Sequence, residues 1–226
     1  MTAVLLTFEI AGSAIYLLAL IFCIRERNPF FLGIFLSCNM LVFWDWIFNQ
    51  SWFFNVTFHE DLMALWEIRG EKETLAAALA FVGFYYWVFH LLTKYSSTLD
   101  HRLGGWQYPV LYLISVGYVL AFEGIFVNLG VWTYYQEDVY ELFGVAWSNG
   151  FFNAHILLIC YVLLKHFHRW AGMNPARSGF APYDESFWRP LTLATSAIQT
   201  GFFLAFVLQM FWYIQTQPWV DSPRLF

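Results

Sequence analysis

Charge is scarce in this chain. Only 12% of its 226 residues are Asp, Glu, Lys or Arg, 60% are hydrophobic, and the mean hydropathy is +0.54, outside the range of soluble globular domains. Cysteine is scarcer still. Cys23, Cys38 and Cys160 are odd in number, lie in apolar runs and show no metal-ligand spacing, which argues against a disulfide framework and a zinc site. Basic residues are outnumbered, 11 against 16 acidic, so a nucleic-acid partner is not suggested. Gly-rich phosphate loops, nucleophile elbows and Cys-x-x-Cys pairs are missing as well, and neither a cofactor nor a metal is expected.

What fills the chain instead is long apolar runs. A helix crosses the hydrocarbon core with about 20 apolar residues, and such stretches fall at roughly 2–24, 29–50, 75–95, 107–130, 142–164 and 189–215. The expected fold is all-α: one polytopic membrane bundle over residues 1–226, with six helices or at most seven. Residues 1–24 begin without a basic region and end in "RER", so they read as a retained helix and not a cleaved signal. Arg25, Arg27, Lys94, Arg102, Lys165, Arg169, Arg177 and Arg189 fall on one side of a six-span topology; Arg69, Lys72 and Arg224 fall on the other. That bias predicts both termini on the non-cytoplasmic side.

Aromatic residues make up 23% of the chain, and acids sit among them. Placing Asp45 on Glu123 aligns "FWDWIFNQSWFFNVTFHED" with "FEGIFVNLGVWTYYQEDVY", which suggests a two-helix repeat with units 29–95 and 107–166. Asp45 and Glu123 each lie 16 residues into their span, about 24 Å along a core of about 30 Å. Glu9, one to two turns below the other end of the first span, is expected at a similar depth. A charge at mid-membrane costs at least about 2.5 kcal/mol, so intramembrane acids normally face the bundle interior or a cavity. Hydration near the interface, or bonding to a neighbouring Asn or Trp, is the plainer reading of each acid alone.

The expected catalytic acids are therefore Asp45, Glu123 and Glu9. Around them the expected binding residues are polar (Asn49, Asn128, Asn149, Asn153 and His155) and aromatic (Trp44, Trp46, Trp52, Trp132, Tyr134, Trp147 and Phe152). Asn149 and Asn153, four apart, share a helical face. Aromatic faces stabilise cations, more strongly when desolvated, and an apolar setting favours the protonated form of a carboxyl group. Together these suit protonation of an electron-rich alkene, protection of the carbocation, then loss of a proton or capture of water. The substrate would be an isoprenoid dissolved in the bilayer, and the partners would be that ligand and membrane lipid.

"GVWTYYQEDVYELFGVAWSNGFF" resembles the segment of small membrane lycopene cyclase domains where a Gly-Val-Trp-Thr-Tyr turn precedes a helix with paired Phe, and "FWDW" at 43–46 is similar to that family's Trp-Asp helix. Leu142, Phe143, Gly144 and Val145 look like a run in membrane carotenoid hydratases, and Cys38, Asn39, Trp44 and Asp45 resemble a helix of membrane meroterpenoid cyclases. The resemblance covers about residues 38–60 and 120–160 and implies proton-initiated, non-redox chemistry on a polyprenyl double bond, carried over to Asp45 and Glu123. Ser148 and Asn149 stand where lycopene cyclase domains carry paired Glu, which argues against closure of lycopene itself.

Two other classes fit the size. A retinal protein needs a lysine in its last helix, and 189–215 has none. A transporter would usually show spans broken at mid-depth, whereas the spans here read as intact apart from "NGFFN" and "VGFYY". "KHFHR" at 165–169 reads as a solvated helix end, and "NVT" at 55–57 matches a glycosylation sequon.

Overall fold

The computed structural model describes residues 2–49, 54, 56–68, 70–134, 141–142, 144–171 and 185–216. The fold is an all-α bundle in which, among the described residues, six helical stretches are long and apolar enough to cross a membrane. In chain order the elements are α1 (Ala3–Glu26), α2 (Pro29–Met40) continued by α3 (Val42–Asn49), β1 (Val56–Phe58), β2 (Ala64–Ile68), β3 (Glu71–Thr74), α4 (Leu75–Lys94), α5 (Ser96–Leu103), α6 (Gln107–Asn128), β4 (Trp132–Tyr134), β5 (Glu141–Leu142), β6 (Val145–Ala146), α7 (Trp147–Trp170) and α8 (Glu185–Thr216). Five of the six expected spans agree with the observed helices to within a few residues. The fifth was expected from 142, but β5 and β6 pair antiparallel across Gly144 (φ 77°), and the helix starts only at Trp147.

Helix starts follow ordinary capping chemistry. Asn28 accepts the Phe30 N–H at 2.9 Å ahead of Pro29, and Thr74 accepts the Ala77 N–H at 3.3 Å at the head of α4, each satisfying a donor the first turn leaves free. The second span is not continuous, contrary to its apolar pattern. It steps at Leu41, whose N–H is shared between the Ser37 and Cys38 carbonyls. Two residues earlier the Asn39 side chain donates to the Phe35 carbonyl at 2.8 Å, a local bond of the kind that bends helices.

In lipid, association depends on close packing more than on hydrophobic burial, and glycines supply the closeness. A Cβ on Gly12 would lie 2.5 Å from the Ala76 carbonyl oxygen, and one on Gly83 3.0 Å from the Ile15 backbone, so α1 and α4 meet backbone to backbone. Gly33 does the same for α2 against α8 at the Leu191 carbonyl, and Gly201 for α8 against α7 at Cys160. The bundle runs α1 on α4, α2 on α8, α8 on α7 and α7 on α6.

The strands among the described residues lie at one end of the bundle. β1 pairs antiparallel with β4 (Val56 with Tyr134, Phe58 with Trp132), which joins the chain that follows the Asp45 helix to the chain that follows the Glu123 helix. The turn into β4 is specified locally. Gly130 (φ 73°) follows α6, its N–H reaches the Val127 carbonyl, and the Val131 N–H reaches Phe126 at 3.0 Å, the bonding that ends a helix on a left-handed glycine. At the opposite end Lys165 is buried and paired with Asp100, which also receives the Arg169 guanidinium. "KHFHR" is therefore not wholly a solvated face: His168 too packs against Phe30, with ring centroids 5.0 Å apart.

Candidate functional site

Near the strand-bearing end the helices leave a cavity of about 370 Å³. It is small for a ligand pocket, for which about 300–1,000 Å³ is usual. Helical spacing decides who faces it. α3 contributes Asp45, Phe48 and Asn49, and α7 contributes Asn149, Phe152, Asn153 and Ile156, each set separated by three or four residues and so on one face. α6 supplies Tyr118, Val119, Phe122, Glu123 and Phe126, α1 supplies Phe8 to Ile15, and α4 supplies Ala77 to Tyr85. The β1–β4 ladder roofs the cavity with Val56, Phe58, Trp132 and Tyr134.

Glu123 is the anchored carboxyl. Tyr134 donates its hydroxyl hydrogen to Oε2, and Asn149 Nδ2 donates to the same oxygen at 2.7 Å. Behind Asn149 the chain continues, since Asn153 Nδ2 donates to Asn149 Oδ1 at 2.7 Å and the Tyr85 hydroxyl donates to Asn153 Oδ1. Burial and the neighbouring Glu123 carboxylate hold the Tyr134 hydroxyl well above the ordinary phenol range, so it stays a donor. Two donors on one oxygen are what an acceptor-only carboxylate requires. Asp45 is differently placed. It is close enough to Glu123 to feel its charge, and its side-chain neighbour is Asn49, one turn on.

A third carboxyl stands behind Asp45. Glu73, in β3 and fully buried, lies beside Asn49 and the Asp45 carboxyl, with neither of its oxygens in a well-formed side-chain hydrogen bond. Burial, reinforced by Asp45, pushes its pKa up to about 10, while Asn49 and the Thr74 N–H pull the other way. Within the acid-rich "EIRGEKE" Glu73 reads as one more solvated charge. The signal that could have marked it is its place directly before the Thr74 cap, where a β-ribbon must turn inward to start α4.

Of the residues expected at the site, Asp45, Glu123, Asn49, Trp132, Tyr134, Asn149, Phe152 and Asn153 line one cavity. Glu9 does not: its Oε1 accepts the Met63 N–H at 2.8 Å and pins the ribbon end to α1. Trp44 turns away toward α8, where Nε1 donates to Gln199 at 3.4 Å, and Trp46 also lies outside the lining. Asn128 caps its own helix by donating to the Gly124 carbonyl at 2.6 Å, and His155 meets the Tyr112 hydroxyl at 3.2 Å between α6 and α7. Trp52, Asn55 and the side chain of Trp147 lie outside the described residues.

The walls are mostly rings. Phe152 sits edge-on to Phe48 at 4.6 Å, and Phe126 stacks on Trp132 at 5.2 Å. Such an enclosure can hold an apolar chain, shield a cation with π faces, and present it to two carboxyls in different hydrogen-bonding states. Comparison with protein-family models, with curated proteins and with solved structures returns no match.

Proposed function

We propose that this protein is a membrane enzyme that closes a ring in a lipid-soluble isoprenoid by proton-initiated, non-redox chemistry. The observation that carries the reading is that Asp45 and Glu123 face the same aromatic-walled cavity. Asp45, as the acid, forms a C–H bond to one alkene carbon and leaves a tertiary cation on the other. A second double bond of the same chain attacks that cation, forming the ring C–C bond and moving the charge onward. Glu123, already accepting two hydrogen bonds, takes a proton from the carbon beside the final cation, and the electrons of that C–H bond become the new alkene. The product is an isomer of the substrate. Asp45 then ends anionic and Glu123 protonated, so the proton that Glu123 has taken must pass back to Asp45, which lies close enough to feel its charge, before the next turnover. The bias of Lys and Arg supports a topology with the strand end and both termini on the non-cytoplasmic side.

Hydration with the same acids is the second reading, favoured by the asparagines in the wall. Their groups are largely spent on one another, however: Asn153 donates to Asn149, and Asn149 to Glu123 and Tyr134, which leaves little to hold a nucleophilic water. Membranes containing the protein, given linear, epoxidised and aromatic-tethered polyprenyl substrates in D2O, test both. Cyclisation yields an isomer with one carbon-bound deuterium; hydration adds the mass of water. Asp45→Asn and Glu123→Gln should each lower turnover by about 10²–10⁴. Product formation that survived both changes would refute the acid chemistry.

A further inference from the structure

We infer that the cavity is reached sideways from the bilayer, through a window between α1 and α6, by a single isoprenoid chain whose reactive end lies at the acids and whose tail remains in the window. The inference borrows from the proposed reaction only the chemical class of the ligand.

Three observations place the window. α1 lies along α4 and α6 along α7, but α1 and α6 share no packed seam. Ala11, Tyr118 and Phe122 line the cavity while remaining exposed on the outside, the two aromatics at 41% each. A residue that faces a cavity and the exterior at once marks an opening. The gap is bounded at the strand end by Phe8, edge-on to Phe126 at 5.1 Å and to Trp132 at 5.7 Å, and at the deep end by Tyr118 stacked on Phe84 at 5.3 Å. On α1 it runs from Phe8 to Ile15, about 10 Å at 1.5 Å per residue, all within a membrane-spanning helix.

The occupant follows from what borders the space. The polar groups Asp45, Glu123, Asn149 and Tyr134 gather under the β1–β4 roof, whereas the window side carries only apolar and aromatic edges. A ligand crossing that rim must shed no hydration, and only its end can meet the acids. At about 370 Å³ the cavity suits the reactive end of a chain, and a longer tail has only the window in which to lie.

The test reads binding and not turnover. The protein in lipid nanodiscs is irradiated with a diazirine-bearing geranylgeraniol, and the labelled residues are mapped. Label is expected on residues 8–15 and 118–126, unchanged in Asp45→Asn. Ala11→Trp, which fills the rim, should reduce it about ten-fold, the size of a 1.4 kcal/mol loss, and Leu17→Trp, exposed on the side of α1 away from the cavity, should not. Ile15→Trp blocks from the deeper edge should Ala11→Trp fail to fold. Label spread over lipid-facing positions, or indifferent to both blocking variants, overturns the window. Equal labelling by a diazirine phospholipid that geranylgeraniol does not displace overturns the isoprenoid occupant. Normal window labelling in a protein that turns over no polyprenyl substrate would sink the reaction and leave the window standing.

Discussion

Val56 faces Tyr134 across the β1–β4 ladder, and Tyr134 in turn donates its hydroxyl hydrogen to Glu123. The strand that follows the first acid's helix thereby holds the residue that fixes the second acid. Val56 and Tyr134 are separated in sequence by the same interval as Asp45 and Glu123.

Removing that hydroxyl isolates its contribution. Tyr134→Phe keeps the ring and the ladder but leaves Glu123 with the Asn149 donor. A hydrogen bond to a charged group contributes about 1.5–3 kcal/mol, so the thermal midpoint in detergent should fall and turnover should drop by about ten-fold or more. An unchanged midpoint together with unchanged turnover would mean that Tyr134 does not set the state of Glu123.

Glu73 should make stability depend on pH. Its carboxyl is pushed from 4.5 to about 10 by burial and the nearby Asp45, so between those values the folded protein holds a proton that the unfolded chain has lost. The stability Glu73 contributes is then full below about pH 4.5 and is lost as pH rises toward 10, with a slope of up to about 1.4 kcal/mol per pH unit. Glu73→Gln should flatten that decline in melting curves taken from pH 5 to 9. A parallel slope in the variant would assign the effect to other groups, Asp45 first.

Close contact between α1 and α4 rests on Gly12. Gly12→Leu would drive a side chain into the Ala76 carbonyl, and overpacking of this kind costs about 1–3 kcal/mol or more. The variant should lose monodispersity in gel filtration, whereas Gly117→Leu, where nothing lies within 4 Å, should not.

Phe152 is buried at 1% exposure between Phe48 and Phe54 and forms part of the cavity wall. Phe152→Ala should cost about 3–5 kcal/mol, and the enlarged space should shift any product profile toward bulkier ring systems, read by mass and retention time.

The six spans were legible because lipid demands long apolar runs, and Asp45 and Glu123 were legible because depth can be counted along a helix. Rotation about the axis cannot be read so simply. Trp44 and Trp46 flank Asp45, but successive residues are about 100° apart, and the structure turns them away from a face shared by Asp45, Phe48 and Asn49. Glu9 adjoins Phe8 of the cavity wall but points along another azimuth, to the Met63 N–H. The strands were hidden because their aromatic, acid-rich segments look like interfacial loops, and Glu73 was hidden with them.

α6 is fastened at both extremities. At one, Gln107 donates to Asp100 and the Gly104 carbonyl, each at 2.7 Å, and accepts from Tyr161; at the other the chain passes directly into β4. α1 is seated on α4 by Gly12 and Gly83 and held to the ribbon by Glu9. The edges of the slot inferred between them therefore belong to two helices that are each anchored at more than one point. An aperture framed in this way is expected to sort ligands by girth, admitting a slim, singly branched tail of any length and excluding a fused or doubly substituted one.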